Sequence, residues 1–107
     1  MQGEALKGHL DMLLLAALES RPAHGYALVE TLRLRSGGTF DLPEGTLYPA
    51  LHRLENAGLV ASEWSESSGR RRRVYQLTAK GRSSLVEKES NWRRFAQAVD
   101  GVVEGIA

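Results

Sequence analysis

With 107 residues and 42% hydrophobic side chains, the chain has enough apolar material for one packed domain and too little for a second core or a large enzymatic cleft. Cysteine is absent, which excludes a disulfide framework or a thiolate metal site; His9, His24 and His52 lack the close spacing of zinc ligands, so no metal or cofactor is expected. No apolar run reaches the roughly 18 residues of a membrane span, and the stretch 12–18 is too short and wrongly flanked for a signal peptide, so a cytoplasmic chain without membrane contact is expected.

The net charge of +1 conceals an uneven distribution. Residues 1–69 carry five Lys and Arg against nine Asp and Glu, whereas residues 70–94 carry nine against two. A basic second half suits a nucleic acid, an acidic membrane surface or an acidic partner, and equally a solvated helix face; charge alone does not choose.

Along residues 6–18, Leu6, Leu10, Leu13, Leu14, Ala17 and Leu18 recur at helical spacing and form one core-facing stripe. Met12, Leu15 and Ala16 fall on the other side, so this first helix needs cover twice. A second copy of the chain is the economical cover, and the last helix of the same chain is the alternative. Arg21 and Pro22 break the pattern, and a second helix is predicted over 24–35, with Leu28, Val29 and Leu32 inward and Ser36, Gly37 and Gly38 ending it.

A third helix follows Pro43, burying Leu47, Leu51 and Leu54 and stopping at Gly58. Its opposite face carries Gly45, Pro49, His52 and Asn56, flanked by Tyr48 and Glu55 on one side and Thr46 and Arg53 on the other. Proline is tolerated best in the first turn, so the regular helix is predicted to begin only just before Pro49. Residues 59–64 and 73–78 are rich in strand formers, and the polar cluster 65–69 between them predicts the turn of a hairpin. Tyr75 and Leu77 share its packing face, and Thr78 is placed to cap a fourth helix. In that helix Leu85, Trp92 and Val99 stand seven residues apart with Phe95 and Val102 interleaved, a heptad-like seam interrupted by Lys88. The termini, rich in glycine and small residues, are expected to fray.

These elements predict an α+β fold, mostly α: a winged helix-turn-helix over 1–78 with a C-terminal dimerisation helix over 79–107, in one compact unit. In that architecture the third helix enters the major groove of double-stranded DNA and the hairpin reaches the adjacent backbone. Gly45, Thr46, Tyr48, Pro49, His52 and Arg53 supply the small and polar face that close approach to base edges needs. Arg53 is the only fixed cation there, and Glu44 and Glu55 oppose it. The missing charge comes from Gly-Arg-Arg-Arg-Arg at 69–73. On a strand, Arg70 and Arg72 share one side and Arg71 and Arg73 the other. Arg70, Arg71 and Arg72 are the expected DNA ligands, and Arg73, beside Tyr75, is available for packing.

A homodimer is expected from Met12, Leu15, Leu85, Trp92, Phe95, Val99 and Val102, which have little predicted cover. A large indole at a seam position packs poorly against its symmetry mate. Leu15, Trp92 and Phe95 are therefore candidate contacts for a flat aromatic or lipophilic effector, with plain anchoring of the dimer by Trp92 as the competing reading. No Ser, His and Asp set and no phosphate-binding glycine loop argues for an enzyme. A winged helix serving only as a protein-interaction module is the stronger rival, opposed by the small polar face and the arginine-rich hairpin.

Three segments together resemble the PadR family of bacterial regulators: Pro-Glu-Gly-Thr-Leu-Tyr-Pro-Ala-Leu-His-Arg-Leu-Glu at 43–55, His-Gly-Tyr at 24–26, and Gly-Arg-Arg-Arg-Arg-Val-Tyr-Gln-Leu-Thr at 69–78. The Thr-Leu-Tyr-Pro core with Leu-X-X-Leu-Glu is specific to that family, whereas Leu-Thr-X-X-Gly at 77–81 is shared with other winged-helix regulators. The resemblance implies a homodimer that represses transcription and is usually released by a small effector. The single short C-terminal helix is similar to the compact branch, some members of which bind flat hydrophobic drugs between the two subunits. Val74 departs from the aromatic residue common at its position.

Overall fold

The computed structural model describes residues 4–105, in the order α1 (Glu4–Leu18), β1 (Ala23–His24), α2 (Gly25–Arg35), α3 (Glu44–Asn56), β2 (Val60–Ser67), β3 (Arg70–Leu77) and α4 (Ala79–Glu104). The expected fraying of the termini concerns 1–3 and 106–107, which lie outside the described residues.

Because α1 is apolar nearly all round, it sits at the centre, in contact with α2, α3, β3 and α4. It buries Leu6, Leu10, Leu14, Leu15, Ala17 and Leu18. Full burial of each leucine contributes about 2 kcal/mol. Leu15 and Leu85, assigned to a face offered to a second chain, are 0% and 1% exposed within the chain itself. The chain's own helices and sheet enclose both sides of α1, so Leu15 and Leu85 are core residues; Met12, Leu13 and Ala16 lie half-buried at its edge.

His24 starts α2, its side chain accepting a hydrogen bond from the Ala27 N–H, and Gly37 and Gly38 follow the helix with φ of 62° and 84°. These positive φ values strongly favour glycine, and the Gly38 N–H closes onto the Arg33 carbonyl at 2.8 Å. The third helix begins at Glu44, earlier than Pro49 alone predicts. Pro43 caps it by accepting from the Thr46 and Leu47 N–H groups, both at 3.0 Å. The carboxylate of Glu44 complements the helix dipole in the first turn. Pro49 therefore lies inside α3, and the carbonyl it deprives of a donor is that of Gly45, an exposed residue that water can reach. Leu47, Ala50, Leu51 and Leu54 fill the inner face, and Gly58 (φ 78°) stops the chain as its position predicts.

The sheet is antiparallel with order β1-β3-β2. Its hairpin is longer than the sequence suggests. Ser67 pairs with Arg70, leaving only Ser68 and Gly69 in the turn, with φ of 52° and 75°. Two successive positive φ values match a type I′ turn, whose twist suits the strands, so the serines read as loop belong to the ladder. Strand β1 is absent from the sequence prediction; its two residues pair Ala23 with Tyr75 and His24 with Val74. The expected cap of α4 is present. Thr78 Oγ1 accepts from the Gly81 N–H at 3.0 Å and donates to the Gly58 carbonyl at 2.6 Å. A Cβ at residue 81 would lie 2.0 Å from the Leu59 carbonyl oxygen, so glycine there sets how closely α4 docks. Helix α4 then extends for 26 residues, about 39 Å at 1.5 Å per residue.

Candidate nucleic-acid interface

Helix α3 turns Gly45, Tyr48, Pro49, His52 and Arg53 to the surface, with Thr46 half-buried beside them, and none of these is a large aliphatic residue. Tyr48 is held by an absence: a Cβ on residue 25 would lie 2.5 Å from its hydroxyl oxygen, so Gly25 lets the phenol lie across the start of α2. This gives the His-Gly-Tyr segment a physical meaning. His24 caps the helix, Gly25 admits Tyr48, and Tyr26 displays its ring at the surface, stacked 6.5 Å from the His24 imidazole. Arg53 points to the edge of the face, where its guanidinium meets Asp11 of α1 at 2.6 Å.

Strand alternation divides the arginines as expected. Arg71 and Arg73 lie over the Trp64 ring, at 4.7 and 5.4 Å from its centroid. Arg73 also donates to Ser62 Oγ at 2.8 Å, and that hydroxyl donates to Glu55 of α3 at 2.7 Å. Arg73 thus serves as a structural tie. Glu55, which sequence reasoning sets against DNA, has its charge answered inside the protein by Ser62 and Arg73. On the other side of the sheet, Arg72 Nη1 lies 2.7 Å from His24 Nε2, and Arg70 is exposed beside the turn. Burial raises the pKa of the Tyr75 phenol, against the pull of Arg73.

Burial, aided by the positive charge of Arg72, lowers the pKa of His24. Its unfolded value is about 6.5, so below that pH the unfolded chain takes up the proton first, and stability falls until the folded His24 titrates as well. Thermal melts between pH 7.5 and 5.5 should show the wild type losing more stability than His24→Asn, which retains a capping side chain. Equal losses would show that other groups govern the acid response.

Two clefts of about 470 Å³ each border these elements. The first lies between the hairpin and the starts of α2 and α3, lined by His24, Tyr26, Tyr48, Trp64, Arg70 to Arg73 and one carboxylate, Glu44. The second lies between α1, α3 and α4, where Met12, Asp11, Arg53, Lys88, Trp92 and Phe95 meet. There the Trp92 ring stands edge-on to His9 at 4.9 Å and lies 6.1 Å from Phe95. Leu15 lines neither cleft. The sequence alone assigns no role to Tyr26 or Trp64 and leaves His24 a lone histidine; the His-Gly-Tyr segment is the cue to them. Among the described residues, no group of three or more His, Cys, Asp or Glu could hold a metal, and no helix is long and apolar enough to cross a membrane.

A helix-turn-helix with an arginine-rich two-stranded wing and a long trailing helix defines a winged-helix protein. The family model for the transcriptional regulator PadR-like family matches residues 14–87. The chain belongs to that family and is a DNA-binding transcriptional regulator. It is 44% identical over 78 residues to a transcriptional regulator of Mycobacterium tuberculosis, covering 73% of this chain and 70% of that protein. A transcriptional regulator from Clostridium thermocellum superposes with a TM-score of 0.85 at 25% identity, over 94% of this chain and 95% of the other. A PadR family regulator from Eggerthella lenta gives 0.82 at 37% identity, over 94% and 86%.

Proposed function

We propose that this regulator is a cytoplasmic, effector-responsive repressor that binds a pseudo-palindromic operator as a homodimer, residues 1–78 meeting DNA and residues 79–107 joining the two chains. The observation that carries the DNA geometry is the arginine wing flanking a small, polar face of α3. Gly45, Thr46, Pro49 and Tyr48 allow close approach, His52 and Arg53 read base edges, and Arg70, Arg71 and Arg72 meet the backbone. Reading by Arg53 requires it to leave Asp11. Gel shifts against duplex DNA from upstream of the protein's own gene, repeated over a range of salt, test this reading. The expected result is tight binding with a steep salt dependence, and binding that ignores salt would overturn it.

The dimer reading rests on α4. Trp92, Phe95, Val99 and Val102 form an exposed apolar line, with Met12 beside it, and such a line on a small domain marks an association surface. A flat aromatic or lipophilic effector fits beside Trp92 and Phe95, with Met12 in place of the buried Leu15. Arg53 and Asp11 border the same cleft, so an occupant there touches the pair that joins α3 to α1. An effector that favours one spacing of the two α4 helices shifts DNA affinity only by its differential affinity for the two states. In a Trp64→Phe background, titration with planar aromatic compounds should quench Trp92 fluorescence and weaken DNA binding. Quenching without any change in DNA affinity would overturn the coupling of this cleft to DNA, and absence of quenching would leave Trp92 as a dimer anchor alone.

A further inference from the structure

We propose that His24 and Arg72 together grip one backbone phosphate of the bound duplex, which makes the His24 imidazole a DNA ligand as well as a helix cap. The inference rests on the DNA-binding reading and adds a contact to it. His24 Nδ1 faces the Ala27 N–H at 3.2 Å, and Nε2 faces Arg72 Nη1 at 2.7 Å. A neutral imidazole has one acceptor nitrogen, and a guanidinium has none. If Nδ1 accepts from Ala27, the proton sits on Nε2 and points at an arginine N–H. If Nε2 accepts from Arg72, the Nδ1 proton points at the backbone N–H. Either tautomer sets one donor against another, so the pair is short of one acceptor.

The tautomer that preserves the cap leaves two donors, the His24 Nε2–H and Arg72 Nη1, 2.7 Å apart without an acceptor between them. An anion with several lone pairs satisfies both, and the non-bridging oxygens of a phosphodiester have that chemistry. The surroundings agree. Arg70 and Arg72 border this cleft on the His24 side, Arg71 and Arg73 reach it from the Trp64 side with Arg73 tied to Ser62 and Glu55, and Glu44 is its single carboxylate; Tyr26 and Tyr48 border it too. The cleft opens between the wing and the start of α3, the two elements that flank the DNA. Topology enforces the pairing, because His24 is registered opposite Val74 on β3, two residues from Arg72, and period-two alternation puts both side chains on one face of the sheet. Burial, then the charge of Arg72, lowers the pKa of His24, a direction that favours the neutral ring able to cap α2.

The test uses a duplex selected by the protein from a random pool, then resynthesised with a neutral methylphosphonate at each phosphate in turn. Binding is measured for the wild type, His24→Asn and Arg72→Ala. Asparagine still caps α2 but is too short to reach the phosphate, and melting temperatures verify that each variant folds. His24→Asn is expected to weaken binding to the unmodified duplex about a hundredfold, in line with loss of one hydrogen bond to a charged group in each half of the dimer. The methylphosphonate that most weakens the wild type should then have little further effect on either variant, the signature of a shared contact. A His24→Asn profile that superimposes on the wild type overturns the grip while leaving DNA binding intact. Inorganic phosphate that shifts the His24 ring-nitrogen resonances when the duplex does not would assign the site to a free anion and overturn the proposal. Failure of the wild type to bind any duplex would overturn the DNA reading itself.

Discussion

Replacing Arg70 and Arg72 together by alanine is expected to lower affinity for duplex DNA on the order of a thousandfold. A dimer loses four guanidinium groups, each taken at about 1 kcal/mol, the upper end for an exposed ion pair. The loss should be similar for operator and random sequence, because phosphate contacts position the protein without reading bases. The salt dependence should flatten as well. Each neutralised phosphate contributes about 0.9 to the log–log slope, so four lost contacts remove up to about 3.6. Arg73→Ala is the informative comparison, since Arg73 is committed to Ser62 and Glu55 and its loss should loosen the wing from α3. Unchanged affinity and slope in the Arg70/Arg72 double variant would reduce the arginine run to a solvated face.

Converting the chain to a monomer should have the second large effect. Phe95 and Val102 are 59% and 83% exposed, so aspartate at both positions removes little intrachain packing while placing charge in the proposed interface. Sedimentation at micromolar concentration should show a dimer for the wild type and a monomer for the double variant, with similar melting temperatures of the individual fold. Affinity for a two-half-site operator should then fall by about 10² to 10⁴, because the second half-site no longer benefits from the effective concentration that linkage supplies. Dimers that persist in the variant would move the interface elsewhere. A wild type that is monomeric both alone and on DNA would remove the expectation that two α3 helices address major grooves about 34 Å apart.

Much of the architecture was legible in the residues because local physics decides it. The inward faces of α2 and α3, the Thr78 cap and the division of the arginines follow from periodicity and side-chain chemistry. What was not legible depends on partners distant in the chain. Leu15 and Leu85 were recognisably apolar, but periodicity says which face needs cover, never which element supplies it. Arg53 and Asp11 meet across 42 positions, and nothing near either residue announces the pair. Strand β1 is two residues long, too short for alternation to register, and exists because β3 offers it a free edge. Ser65 looked like turn material by composition, yet a minimal turn left it on a strand.

That minimal turn also constrains how this wing can change length. With Ser68 and Gly69 alone closing it, every other residue of the hairpin is committed to one face of a ladder of period two. One residue inserted into β3 between Arg72 and Arg73 would carry Arg70 and Arg72 across to the Trp64 side and send Arg71 to the side of His24. Two residues inserted together, matched by two in β2, would carry the turn outward and leave each arginine on its side of the ribbon. Wing length is thus quantised in pairs, and grafts or deletions that respect this parity should keep the faces intact where odd-numbered ones exchange them.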